Sequence, residues 1–336
     1  MTAVIEIDGL RKTYRSVRRG SRVALDGFDM RVDAGQVHGF LGPNGSGKTT
    51  TLRVLLGLVR ADAGRMSVLG RPVPDELPEV VGRLGAIVES PQFFGNFSGR
   101  RTLRLLATAG GLPAARVDEV LERVGLLDRA DERVRGYSLG MKQRLAVASA
   151  LLKAPELLIL DEPANGLDPA GIREMRDMMR ALAAGGVTVL VSSHLLSEIE
   201  QVCDSVTIIS RGRRVTAGPV AEVLAGFDRR EFRVRVADHR RAADMLGEAG
   251  IAVRFHDDHL RVSGVADPAA VTETLGRQGL WVSELTRLAP DLESVFLELT
   301  GTVPEPGRHK QVDDSIRPAH PTTVTAGEPA EIEVTR

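Results

Sequence analysis

The sequence predicts an α/β protein organised around a parallel sheet, followed by a smaller α+β segment. Three observations carry this. Val37-His38-Gly39-Phe40-Leu41 and Leu157-Leu158-Ile159-Leu160 are short apolar runs, the pattern of strands covered on both faces. A glycine-rich loop, Gly42 to Thr49, separates the first run from a helix-like stretch, Thr49 to Leu58. Val187-Thr188-Val189-Leu190-Val191 is a third run, rich in β-branched residues, and the stretch before it, Pro169 to Ala184, has helical spacing. Strand, helix, strand is the unit from which parallel sheets are built.

The chain has 336 residues, 44 basic and 45 acidic, for a net charge of −1. That length suits two domains. The balanced charge argues against a surface given over to nucleic acid. No apolar run reaches the roughly 20 residues of a membrane-spanning helix. The start, MTAVIEIDGLRKTY, has acidic residues where a secretory signal needs an apolar core. Cys203 is the single cysteine, which excludes an internal disulfide or a cysteine-based zinc site and fits a reducing, cytosolic compartment. A small, half-buried apolar role is expected for it.

The pattern changes near Phe227. Phe232-Arg233-Val234-Arg235-Val236 alternates strictly, as a half-exposed strand does. A helix is expected over His239–Glu248, a hairpin around Asp257-Asp258, a second helix over Pro268–Arg277 and a strand near Trp281–Leu285. The order β-α-β-β-α-β predicts a ferredoxin-like accessory domain over 227–301. The amphipathic stretch Asp291–Leu299 is expected to pack on it. Residues 302–336 hold five of the 17 prolines and no aromatic residue, so a disordered tail is expected.

Gly42-Pro43-Asn44-Gly45-Ser46-Gly47-Lys48-Thr49, with Thr50 after it, matches G-x-x-x-x-G-K-[ST], the phosphate loop of P-loop NTPases. The chemistry requires these residue types. Phosphate oxygens must come close to backbone N–H groups, and side chains at Gly45 and Gly47 would obstruct them. The helix N-terminus favours negative charge. Lys48 supplies a cation to the β- and γ-phosphates of ATP, and the Thr49 hydroxyl can ligate Mg²⁺. The Leu157–Leu160 run ends in Asp161-Glu162, at the end of a parallel strand where ligands bind. Asp161 is placed to hold Mg²⁺, and Glu162 to orient and polarise an attacking water.

With these motifs in order, residues 4–226 resemble the ATP-binding subunit of ABC transporters, an ATPase with a helical subdomain. Tyr137-Ser138-Leu139-Gly140-Met141-Lys142-Gln143-Arg144 is similar to the family signature, with Leu139 and Met141 replacing the commonest Gly and Gln. Asn165-Gly166-Leu167-Asp168 resembles the D-loop, and Ser192-Ser193-His194 the switch-histidine loop. Tyr14 lies where the family stacks adenine. Gly85-Ala86-Ile87-Val88-Glu89 lies where the Q-loop begins; Glu89 replaces Gln there and is a candidate magnesium ligand, with Gln92 a shifted alternative. The variants are similar to those of daunorubicin- and bacitracin-resistance exporters.

The resemblance implies a head-to-tail dimer, of two copies or with a second ATPase subunit. Each ATP would lie between the phosphate loop of one subunit and Ser138 and Gly140 of the other, with Asp168 at the seam. Glu162 and His194 would carry hydrolysis. It also implies a separate membrane-spanning permease, so that the subunit is peripheral on the cytoplasmic face of the membrane. Export of a drug or antibiotic is the expected use, with lipid, polysaccharide or sodium export open. Phe93-Phe94-Gly95-Asn96-Phe97 either meets the permease or packs the helical subdomain. The accessory domain is expected to aid assembly or dimer stability and to carry no chemistry. A soluble ATPase acting on ribosomes or DNA is the rival. The chain shows neither a second ATPase module with a basic linker nor a long heptad run, and binding to nucleic acid is not expected.

Overall fold

The computed structural model describes residues 2–16, 20–88 and 92–300. Glu89 and the expected tail lie outside them. The described residues belong to one compact unit.

The chain opens with β1 (Ala3–Ser16) and β2 (Gly20–Asp33), then β3 (Val37–Leu41) and α1 (Lys48–Leu55). β4 (Ala63–Val68), β5 (Arg71–Pro72), α2 (Leu77–Val80) and β6 (Leu84–Ile87) follow. β2, β1, β4 and β5 form an antiparallel sheet in that order. Its apolar face, including Ile5, Leu10, Phe28 and Val32, packs with Phe40 and Leu52 in one core. The alternation Ile5, Ile7 and Met30, Val32 turns one face of the β1–β2 ribbon inward, and the polar face stays wet.

A helical layer comes next: α3 (Gly99–Ala109), α4 (Ala115–Arg123) and α5 (Leu139–Leu151). Ser98 caps α3 by accepting from Arg101 N–H at 3.2 Å. Ser138 caps α5 in the same way, from Met141 N–H. Each cap satisfies a donor that the helix leaves unpaired. Tyr137 is buried, and its hydroxyl donates to the Arg129 carbonyl at 2.7 Å, which anchors the chain entering α5.

β7 (Leu157–Asp161), α6 (Pro169–Ala184), β8 (Thr188–Ser193), α7 (Leu196–Glu200), β9 (Ser205–Ser210), β10 (Arg213–Pro219) and α8 (Val220–Ala225) complete the large segment. The six-stranded sheet runs β10-β9-β3-β8-β7-β6, and only the β9–β10 pair is antiparallel. β3 and β8 are buried at every position, as continuous apolar runs require. The ends of β3, β7 and β8 therefore converge on one edge of the sheet.

The last segment holds β11 (Glu231–Val236), α9 (His239–Glu248), β12 (Ala252–His256), β13 (His259–Ser263), α10 (Ala269–Gly276), β14 (Val282–Leu288) and α11 (Leu292–Thr300). The four strands form an antiparallel sheet in the order β12-β13-β11-β14, with its own core of Phe232, Val234, Leu246, Leu260 and Val271. The hairpin turns at Asp257-Asp258 as expected. The final helix departs from expectation. Leu292 and Val295 of α11 are fully buried in the core of the ATPase segment, with Ile199 and Val202, rather than on the small sheet. The amphipathic pattern fixed that one face would be covered; it could not say by what.

Candidate functional site

The phosphate loop is shaped by what surrounds it. β3 ends at Leu41, and α1 starts at Lys48. Gly47 has φ +121°, and a Cβ there would lie 2.8 Å from the Ala24 carbonyl. Gly42 is equally restricted, since a Cβ would meet the Ile209 carbonyl at 2.2 Å. Only glycine lets β2 and β9 close on the loop at these two points. Ser46 is buried. The Lys48 ammonium, also buried, donates to the Gly42 carbonyl at 2.7 Å and so folds back along the loop.

Both carboxylates come from the end of β7, and β8 supplies their partner. Asp161 pairs in register with Ser192, whose hydroxyl donates to Asp161 Oδ1. Glu162 then leaves the strand with φ +51°, a left-handed conformation that costs a non-glycine residue about 1 kcal/mol. Its N–H is held there by Ser192 O at 3.2 Å and Ser192 Oγ at 3.0 Å. The turn swings the carboxylate between two partners. Oε1 lies 3.2 Å from Lys48 Nζ, and Oε2 lies 2.7 Å from His194 Nδ1. Three side chains from three elements thus meet at one edge of the sheet.

They line a cavity of about 420 Å³ with Tyr14, Arg22, Ala24, Asn44, Gly45, Gly47, Thr49, Thr50 and Asn165. Most of the sequence candidates therefore come together. Tyr14, Asn44, Gly45, Gly47, Lys48, Thr49, Thr50, Glu162 and His194 face the cavity; Gly42, Pro43 and Ser46 form the loop behind it; Asp161 lies beneath, against Ser192. Ser138, Gly140 and Asp168 do not line it. Asp168 caps α6 instead, accepting from Gly171 N–H at 3.0 Å ahead of Pro169.

Arg22 was not legible as a site residue. It sits opposite Tyr14 in the β1–β2 register and donates to the Gly45 carbonyl at 3.2 Å. No motif marks it, because its place depends on hairpin register. Asn165 was seen only as part of the D-loop, yet it lines the cavity.

The donor set fits a magnesium ion better than a caged metal. Thr49 offers a hydroxyl in the cavity and Asp161 a carboxylate at the end of β7, and no group of three or more metal-binding side chains exists among the described residues. Mg²⁺ takes few protein ligands and keeps phosphate oxygens and water. The geometry of Glu89 lies outside the described residues.

Residues 25–165 match the family model "ABC transporter". An uncharacterized ABC transporter ATP-binding protein of Bacillus subtilis (strain 168), YhcH, is 37% identical over 92% of this chain and all of that protein. The daunorubicin resistance ATP-binding protein DrrA3 of Streptomyces coeruleorubidus is 40% identical over 88% of this chain and 96% of that protein. The chain belongs to the ATP-binding proteins of ABC transporters. The ABC ATPase fold is shared with solved structures. An ATP-binding subunit of an ABC transporter matches with TM-score 0.57 and 30% identity over 67% of this chain and 93% of that chain. The cbiO1 protein of Clostridium perfringens matches with TM-score 0.61 and 26% identity over 74% and 98%. The ABC protein described here is thus an ATP-hydrolysing enzyme, and its closely matched relatives include those of the bacitracin- and daunorubicin-resistance type.

Proposed function

We propose that this ABC protein powers export of a drug or antibiotic through a separate membrane-spanning permease, as one half of a head-to-tail ATPase dimer. The observation that carries the catalytic part is the meeting of Lys48, Glu162 and His194 in one cavity. Lys48 and the loop amides would grip the β- and γ-phosphates. Glu162, held by its left-handed turn, would orient and polarise the water that attacks the γ-phosphorus. His194, hydrogen-bonded to that carboxylate, would steady it and meet the γ-phosphate. Tyr14 would stack the adenine. Mg²⁺, held through Thr49 and Asp161, would neutralise charge on the phosphate oxygens.

Ser138 and Gly140 lie outside the cavity, which supports a second subunit as the source of the signature segment. A protein of the same fold, the ATP-binding cassette MJ0796, has a dimeric structure with ADP and Pi bound. Closing on ATP and opening after hydrolysis is a two-state cycle that a permease can follow. No helix among the described residues is long and apolar enough to cross a membrane. We read residues 227–300 as a ferredoxin-like accessory domain, on the strength of strand order β12-β13-β11-β14.

The export reading rests on relatives. A bacitracin transport ATP-binding protein of Bacillus licheniformis, BcrA, is 38% identical over 90% of this chain. A Nod factor export protein of Cupriavidus metallidurans is 35% identical over the same share. Cargo therefore varies at similar identity, and belongs to the permease. The permease contact falls on Phe94, which is 74% exposed and forms a tilted ring pair with Phe97 at 5.5 Å, while Phe93 packs against the core. Coexpression with the neighbouring membrane protein tests it. Phe94→Ser should lose membrane recruitment and keep its thermal midpoint; full recruitment would discard this docking site.

A further inference from the structure

We propose that the last turn of α11 forms part of the face occupied by a second copy of this chain when ATP is bound. The inference rests on the head-to-tail reading above and adds a surface from outside every ATPase motif.

Helix α11 reaches the ATPase segment from the accessory sheet. Its buried face, Leu292 and Val295, fixes its position in the ATPase core. Its far end, Phe296, Leu299 and Thr300, then stands beside the outer side of the phosphate loop. The two enclose a cleft of about 440 Å³, with Pro43, Asn44, Gly45 and Ser46 on the loop side.

Asn44 and Gly45 line both this cleft and the nucleotide cavity. A body that covers the phosphates from outside must therefore lie over these two residues. It then comes within reach of α11. The chain's own signature segment lines neither cleft, and in the head-to-tail reading the second copy supplies it. Leu299 is 40% exposed at this rim. An apolar side chain beside a polar loop gains from being covered. The segment that the second copy brings has an exposed leucine of its own, Leu139, next to Ser138. The occupant is thus a second copy, seated on loop and helix together.

The test uses the full chain carrying Glu162→Gln, with ATP and Mg²⁺, and reads dimer formation by sedimentation. Adding Leu299→Arg should weaken the ATP-dependent dimer at least about tenfold. Fluorescent-ATP affinity at dilutions where the chain is monomeric, and the thermal midpoint, should stay the same. Leu299→Met should dimerise like the parent. In a second arm, Leu299→Cys carries an environment-sensitive dye; Cys203 is buried, so the label goes to the new site. Its emission should shift to the blue when ATP drives dimerisation. If the dimer forms equally with Leu299→Arg and the dye does not respond, α11 is not in the interface, while the head-to-tail reading survives. If the parent forms no dimer with ATP at any concentration, the head-to-tail reading fails and takes this proposal with it.

Discussion

The backbone N–H of Leu292, in the first turn of α11, donates to Glu200 Oε2 at 3.0 Å. Glu200 closes α7, the short helix that starts two residues after His194. The contact ties the helix that follows His194 to the last helix of the accessory segment. Glu200→Ala should cost about 1–2 kcal/mol, the cost of leaving a part-buried N–H without its acceptor. Glu200→Gln keeps an acceptor oxygen and should recover most of that. Urea unfolding of the three proteins decides it. Equal midpoints for Ala and Gln would show that the carboxyl oxygen does not hold α11.

A fragment ending at residue 226 tests the packing of α11 more severely. It would remove Leu292 and Val295 from the core around Ile199 and Val202. Losing one buried leucine alone costs roughly 2–5 kcal/mol. Whole-protein stability is of the order of 5–15 kcal/mol. The fragment should therefore unfold at markedly lower urea than the full chain, and its ATPase should fall with it. A fragment of unchanged stability would mean that the ATPase segment closes its core without α11.

Much of the candidate site was legible because its physics is local. A loop that must bring amides to phosphate needs glycines at fixed offsets, and Gly42–Thr49 has them. Strands buried on both faces need unbroken apolar runs, so β3 emerged at its observed limits and β7 and β8 within two residues of theirs. Helix α6 was bounded correctly because Asp168-Pro169 is a helix start in its own right. What depended on distant pairing stayed hidden. Arg22 reaches Gly45 only because β2 lies in a particular register on β1. The seat of α11 depends on the chain path after β14, which no periodicity encodes.

The Lys48–Glu162–His194 group makes separable predictions. Lys48→Ala removes the cation next to the Gly42 carbonyl and should abolish ATP binding or turnover. Glu162→Gln keeps the shape and removes the charge. It should bind ATP with affinity within a few-fold of the parent and lose turnover by about 10²–10⁴, the range expected for loss of acid–base assistance. Phosphate-release assays and fluorescent-ATP titration separate the two effects. Normal hydrolysis by Glu162→Gln would remove Glu162 from the role assigned to it.

His38 provides a pH-dependent test of how the sheet holds the loop. It lies on β3, buried, four residues before Gly42. The Ser205 hydroxyl donates to Gln36 Oε1, so the Ser205 oxygen is left to accept from His38 Nδ1–H at 2.8 Å. Nε2 then accepts from the Thr207 hydroxyl at 2.9 Å. This neutral ring is fully partnered, and burial pulls its pKa down to about 4 against the opposing pull of Asp33. The unfolded ring titrates near its ordinary value of about 6.5. Between those two values the unfolded chain binds more protons, so stability rises with pH. The contribution is complete above about pH 6.5 and is lost as pH falls towards 4; at about 1.4 kcal/mol per pH unit it amounts to roughly 3 kcal/mol. His38→Asn carries no titrating group and should lose less stability than the parent between pH 7 and about pH 4.5, the span that covers this titration. Urea unfolding at each pH measures the difference. Parallel losses in the two proteins would mean that protonation of His38 does not drive acid unfolding of the sheet beneath the phosphate loop.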